Sequence, residues 1–235
     1  MNIAIDGPAG AGKSTIARRV AKELGSVYVD TGAMYRALAL FVARKGIDPK
    51  EREAVEKVLG DIDITLTYPD GVQHVWLNGE DVTHELRHEA VTRTASVTAA
   101  YAKVREAMVA IQQKLAKKVP VVMDGRDICT VVLPDAEVKI FLTASPRTRA
   151  ERRFLQTMEA QPEAVRSAMT EAEREKEISA IEQQIRERDE RDMNREASPL
   201  VHAPDAVTID SSDMTLEEVT DAILKLAEAA GNQRG

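Results

Sequence analysis

Apolar residues along the first part of the chain follow two alternating rhythms. Asn2–Asp6 (NIAID) is a short apolar run that ends against glycines, the pattern of a buried strand. In Lys13–Leu24 the apolar residues Ile16, Ala17, Val20, Ala21 and Leu24 recur at three- and four-residue steps, which predicts an amphipathic helix closed by Gly25. Val27–Asp30 (VYVD) reads as a second buried strand, and Thr31–Arg44 as a second helix, stopped by Gly46 and Pro49. Strand and helix alternating in this way predict a parallel α/β sheet.

The rhythm changes at Asp61. Ile62–Tyr68 and Gln73–Leu77 are β-rich runs separated by the turn signal PDG, so a hairpin is expected here, as a small insert in the alternation. Helical spacing returns over 87–117. Three further apolar runs, VPVVMD (119–124), AEVKIFL (136–142) and AVTID (206–210), predict buried strands. Thr215 with Glu218 three residues on predicts a capping box, opening a helix that runs to Ala230. From Arg147 to Glu196, 11 Lys/Arg and 13 Asp/Glu fall in 50 positions with few large apolar residues. Such a stretch is either a solvated helical hairpin or a mobile lid whose arginines reach phosphates.

Composition narrows the picture. A length of 235 residues fits one domain with small insertions and can bury a substantial core. The balance of 43% hydrophobic and 30% charged residues is that of a globular protein, and the net charge of −7 speaks against a nucleic-acid polymer as partner. The single cysteine, Cys129, allows no disulfide within the chain and fits a reducing compartment. The opening MNIAIDG has no basic segment followed by a long apolar run, and no apolar stretch nears the ~18 residues of a membrane span. A cytoplasmic location without a membrane partner is expected.

Two short patterns imply chemistry, and they disagree. GPAGAGKS (7–14) fits G-x-x-x-x-G-K-[ST], the phosphate-binding P-loop, and it lies between a predicted strand and a predicted helix as that chemistry requires. Gly7, Pro8, Ala9, Gly10, Ala11 and Gly12 make the loop, whose glycines let backbone N–H groups curl around phosphate oxygens, with Lys13, Ser14 and Thr15 opening the helix. Lys13 supplies a compact cation near the β- and γ-phosphates, and Ser14 a hydroxyl for Mg²⁺. HELRH (84–88) is instead the His-Glu-x-x-His pattern of zinc hydrolases. It follows a predicted hairpin rather than riding on a long helix. The extended form fails, with Val91 and Thr94 where a glycine and a third histidine belong. No zinc is therefore expected. A GTPase is excluded by pattern: no Asn precedes a Lys, and no Asp has Gly three residues later.

Other charged residues gather at predicted strand ends, the edge where open α/β sheets bind ligands. Thr31 and Arg36 follow the second strand, and Asp124, Arg126 and Asp127 follow VPVVMD. An Arg between two Asp is also what a salt-bridged turn looks like. ERDERDMNR (187–195) adds Arg188, Asp192 and Arg195, which alone would read as a charged helix end.

Together these pieces resemble bacterial cytidylate kinase, the CMP/dCMP kinase of the nucleoside monophosphate kinase group. The matching motifs, in family order, are IAIDGPAGAGKST, DTGAMYRALAL, EDVT…LR, TASVTAAYAKVREAM, MDGRDICTVVLPDAEVKIFL, ASPRTRAERR, ERDERDMNREASPL and DAVTIDSS, spanning residues 2 to 212. The resemblance implies an α/β P-loop kinase: a parallel sheet core (1–61, 91–146 and 196–235), a β-rich monophosphate-binding insert (62–90) and a helical lid (147–195). It implies transfer of the ATP γ-phosphoryl group to CMP or dCMP with Mg²⁺, in pyrimidine nucleotide metabolism, by a monomer and without a covalent intermediate. It places acceptor contacts on Thr31, Arg36, Ser96, Arg105, Arg126, Asp127, Arg188, Asp192 and Arg195. Lys13, Arg126, Arg149 and Arg153 would stabilise the moving phosphoryl group, and Asp124 would reach Mg²⁺ through water. One position departs: Cys129 stands where the family usually has glycine. Two rival readings remain beside the zinc peptidase, a non-catalytic nucleotide-binding regulator and a P-loop kinase for a metabolite such as shikimate.

Overall fold

Each strand expected from an apolar run is present in the computed structural model, which describes residues 1–232. β1 (Ile3–Asp6), α1 (Lys13–Glu23), β2 (Val27–Asp30) and α2 (Thr31–Arg44) make the first two strand–helix units. A short α3 (Arg52–Lys57) leads to the strands β3 (Ile64–Thr67), β4 (His74–Leu77) and β5 (Glu80–Asp81). Then come α4 (Glu89–Thr98), α5 (Ala102–Ala116), β6 (Val121–Gly125) and β7 (Val138–Thr143). The helices α6 (Pro146–Glu159), α7 (Glu163–Ala168) and α8 (Glu171–Asn194) precede β8 (Val207–Asp210) and α9 (Leu216–Asn232).

The main sheet has the order β2-β6-β1-β7-β8 and is parallel throughout. Its register sets Asp6 opposite Gly125 and Asp30 opposite Asp124, so the carboxyl ends of β1, β2 and β6 finish level. Both faces of β1, β2 and β6 are covered, which is why those strands are short apolar runs, whereas the edge strand β8 buries only Ile209. Ile3, Ile5, Val122, Ile140 and Leu142 pack with Ile16 and Val20 of α1 and Ile223 of α9. Ala4, Val29, Val121 and Met123 pack on the other face with Ile128 and Val132, from a π-helical turn (Ile128–Val132) that follows β6.

The hairpin expected between 62 and 77 forms, extended by β5 into a separate three-stranded antiparallel sheet. Its inward side chains Ile64, Val75 and Leu77 share one core with Leu38, Phe41 and Val42 of α2 and with Val104 and Met108 of α5. Arg44, at the end of α2, donates to Glu80 and Glu85 at 2.8 and 2.9 Å, a second tie between this sheet and the main body.

The helix expected over 87–117 is two helices. Tyr101 adopts an extended backbone and its hydroxyl donates to the Pro49 carbonyl at 2.8 Å. The Ala99 carbonyl accepts from Arg105 Nη1 at 3.2 Å. The break lets a buried arginine serve as cap, and periodicity misses it because apolar spacing continues across it. The charge-dense stretch is three helices rather than a simple hairpin. Its α8 opens on a capping box that the sequence reading passed over, with Thr170 Oγ1 accepting from the Glu173 N–H at 3.3 Å. The expected Thr215–Glu218 box is present before α9.

Ile140 is fully buried in the central layer between β1 and β8. Ile140→Ala is expected to lower unfolding free energy by about 2–5 kcal/mol, read from the urea midpoint. A cost below ~0.5 kcal/mol would contradict this placement of the core.

Candidate functional site

The loop between β1 and α1 is pressed against the backbone of β7. Gly7 has φ 148°, and a Cβ there would stand 1.9 Å from the Leu142 carbonyl oxygen. Gly12, at φ 86°, precedes α1 without any side-chain cap, so the first N–H groups of the helix face the loop's concavity. Lys13 is buried and its Nζ donates to the Pro8 carbonyl at 2.7 Å, folding the cation back over the loop. Burial, then the charge of Arg126, pushes the Lys13 ammonium pKa down, while Asp124 and Asp6 oppose the shift.

Asp124, at the end of β6, is the hub of this region. Its Oδ2 accepts from Ser14 Oγ at 2.9 Å and its Oδ1 from the Tyr28 hydroxyl at 2.9 Å. Its carbonyl accepts from Thr31 Oγ1 at 2.6 Å. Burial, then Asp30, raises the carboxyl pKa, and Lys13 and the two hydroxyls pull it back. A hydroxyl and a carboxylate set side by side are hard oxygen donors of the kind Mg²⁺ takes. One strand over, both oxygens of Asp6 accept backbone N–H groups, from Ile128 and Cys129 at 2.8 Å each, which fastens the turn after β6. Cys129 sends its side chain into the core, with Sγ 3.6 Å from the Ala4 and Ile140 carbonyls. Burial, reinforced by Asp6, pushes its thiol pKa well up.

Arginines dominate the opposite side, and most are steadied by a carboxylate. Asp30 caps α2 through the Ala33 N–H at 3.0 Å and holds Arg36 at 2.8 Å. Arg105 and Asp127 form a buried ion pair, with the Arg105 guanidinium 5.3 Å from the centre of the Tyr35 ring. Arg126 Nε donates to Asp192 at 2.8 Å, and Arg195 Nε to the Ser198 carbonyl at 2.5 Å. Although burial works against its charge, Arg126 holds the Asp192 carboxyl below its ordinary pKa. Burial and then Arg126 push the Arg188 pKa down to about 10. Arg105 Nε, Arg188 Nε and Arg195 Nη2 are buried with no hydrogen-bond acceptor. Buried cationic donors left open in this way are costly unless an anion completes them.

One cleft of about 850 Å³ joins the two sides. Of the residues expected from sequence, Ala9 to Thr15 line it, as do Thr31, Arg36, Ser96, Arg105, Asp124, Arg126, Asp127, Arg188, Asp192 and Arg195. Gly7 and Pro8 do not line it. Arg149 lines the cleft, but its guanidinium is fully engaged: Nε with the Ala144 carbonyl at 2.9 Å, Nη1 with the Ala9 carbonyl at 2.8 Å and Nη2 with Asp189 at 2.7 Å. It ties loop, β7 end and α8 together, whereas Arg153 lies exposed along the same wall. Sequence reasoning missed Asp6, Tyr28, Asp30 and Tyr35. Asp6 and Asp30 had a signal, a carboxylate ending a buried apolar strand; the two tyrosines had none.

HELRH forms no helix. His84 and His88 flank a single 3₁₀ turn (Glu85–Arg87), and the intervening Glu85 is bound by Arg44. Among the described residues no group of three His, Cys, Asp or Glu side chains is arranged to hold a metal ion.

The family model for cytidylate kinase matches residues 3–229. The cytidylate kinase of Caldicellulosiruptor saccharolyticus is 48% identical over 96% of this chain and 95% of its own length. That of Pelotomaculum thermopropionicum is 47% identical over 97% and 96%, and that of Oceanobacillus iheyensis 46% over 95% and 92%.

Gly7→Ala is expected to leave a folded protein that binds ATP at least ~10-fold more weakly, because the loop must back away from Leu142; unchanged affinity by calorimetry would contradict the loop's close approach. Cys129 is expected to resist alkylation in native protein at neutral pH and to react after unfolding. Equal rates in both states would contradict its burial.

Proposed function

We propose that this chain, which belongs to the cytidylate kinase family, transfers the γ-phosphoryl group of ATP to CMP or dCMP, giving ADP and CDP or dCDP. The observation that carries the reading is the single cleft with a phosphate loop on one wall and buried, acceptor-less arginine donors on the other. That arrangement suits two phosphate groups brought end to end.

ATP's phosphates take the loop amides and the first turn of α1. Lys13 exchanges the Pro8 carbonyl for a phosphate oxygen. Mg²⁺, when bound, neutralises charge on the phosphates, and Ser14 with the Asp124 carboxylate are the residues to hold it, directly or through water. Arg36, Arg126, Arg188 and Arg195 orient and neutralise the acceptor phosphate, since a guanidinium grips phosphate through two parallel donors. Ser96, Arg105 and Asp127 read the cytosine edge: a carboxylate accepting from the exocyclic amine rejects uracil, which carries a carbonyl there. Asp192 and Arg188 hold the pentose side.

Transfer is in-line, by positioning and charge neutralisation, with no covalent enzyme intermediate. The segment 147–195 serves as a lid that excludes water, with Arg153 free to swing toward the moving phosphoryl group and Arg149 anchoring the loop. The sheet within 62–90 serves as the monophosphate-binding insert. We place the enzyme in pyrimidine nucleotide metabolism, as a cytoplasmic monomer; no described helix is long and apolar enough to cross a membrane.

ADP release is expected to depend on CMP or dCMP, with UMP, AMP and shikimate far behind. Acceptor-independent ADP release, or shikimate as the best acceptor, would overturn the reading. Arg36→Ala and Arg126→Ala are each expected to lower kcat/KM for CMP by about 100-fold or more. Near-normal values in both would overturn the site assignment.

A further inference from the structure

β2 is the edge strand of the main sheet, and edge strands expose a row of open N–H and C=O groups. At its last residue that row is closed by a side chain from elsewhere. Gln73, just before β4 in the small antiparallel sheet, accepts the Asp30 N–H through Oε1 at 2.9 Å. Its Nε2 donates to the Asp30 carbonyl at 3.2 Å. One primary amide therefore imitates a pairing strand across 43 positions of sequence. The residue it clamps has two further duties. The Asp30 carboxylate caps α2 and holds Arg36, Oδ1 on the Ala33 N–H and Oδ2 on the guanidinium. A planar amide gripping both backbone groups leaves the Asp30 peptide little freedom to tilt, and the tilt of Asp30 sets where Arg36 stands.

The geometry assigns Gln73 as a positioning residue for the acceptor phosphate, acting from the small sheet through Asp30 on Arg36. The assignment rests on the proposed function, because it takes Arg36 as a phosphate contact. It makes the small sheet a part of the site's alignment although Gln73 itself does not line the cleft. The same latch links the stance of the small sheet to acceptor occupancy: a phosphate pulling Arg36 pulls on Asp30, and Asp30 pulls on Gln73.

The test is calorimetric binding of CMP, alongside the KM for ATP. Gln73→Ala is expected to raise the Kd for CMP about tenfold, with the KM for ATP within about twofold of the parent. Gln73→Glu keeps the side chain's shape but sets an acceptor against the Asp30 carbonyl, and is expected to weaken CMP binding at least as much. In an Arg36→Ala background, Gln73→Ala is expected to add less than about twofold, because the path to the phosphate is already cut. CMP affinity unchanged in both Gln73 variants, or effects of Gln73→Ala and Arg36→Ala that simply multiply, would overturn the assignment. Failure of the parent enzyme to bind CMP at all would instead overturn the function on which it rests.

Discussion

A buried carboxylate holds the molecule's working edge together. Asp124 sits at the end of β6, the strand between β1 and β2, and partners from both neighbours close on it. Ser14 reaches it from the start of α1, Tyr28 from β2 and Thr31 from the start of α2, while Lys13 balances its charge. An ionised carboxylate in the interior costs several kcal/mol unless it is paired and hydrogen-bonded. Here the partners that lower that cost come from α1 and β2. The parallel register that levels Asp30 with Asp124 is what brings them within reach. The phosphate loop and the starts of α1 and α2 are thus set in mutual position by one residue.

Across the cleft the same economy recurs with the signs reversed. Arg36, Arg105 and Arg126 each lean on an aspartate: Asp30, Asp127 and Asp192. Each pair keeps a guanidinium aimed while leaving donors over. Arg188 has no ion-pair partner of this kind among the described residues, and burial, then the neighbouring charge of Arg126, pushes its pKa down. A phosphate entering this wall meets donors whose ordering entropy was lost on folding. The long helix α8 shares in the arrangement, since it supplies Arg188, Asp189 and Asp192.

Much of this was legible in the chain. Short apolar runs located the strands and three-to-four-residue spacing the helices, and GPAGAGKS stood in the context its chemistry demands. The break at Ala99–Tyr101 was hidden, because apolar spacing runs through it and only the buried Arg105 shows why the helix must stop. Arg149 could be read as a cationic residue near the loop, but not as one whose three donor groups are committed to the protein itself. Tyr28 and Gln73 carried no local signal: each acts through a partner more than forty positions away. HELRH is the converse case. Five residues matched a zinc signature, and a 3₁₀ turn with Glu85 tied to Arg44 removes the helix that signature requires.

The central claim is that a phosphoryl group passes directly between two nucleotides aligned in one cleft, with no residue of the chain taking it on the way. The stereochemical course at phosphorus tests this most directly. ATP made chiral at its γ-phosphorus with sulfur and oxygen isotopes is reacted with CMP, and the configuration of the product thiophosphoryl group is read. Inversion is the predicted result, since a single in-line displacement turns the phosphorus over once. Retention would mean two displacements through a phosphorylated side chain, and would contradict the account.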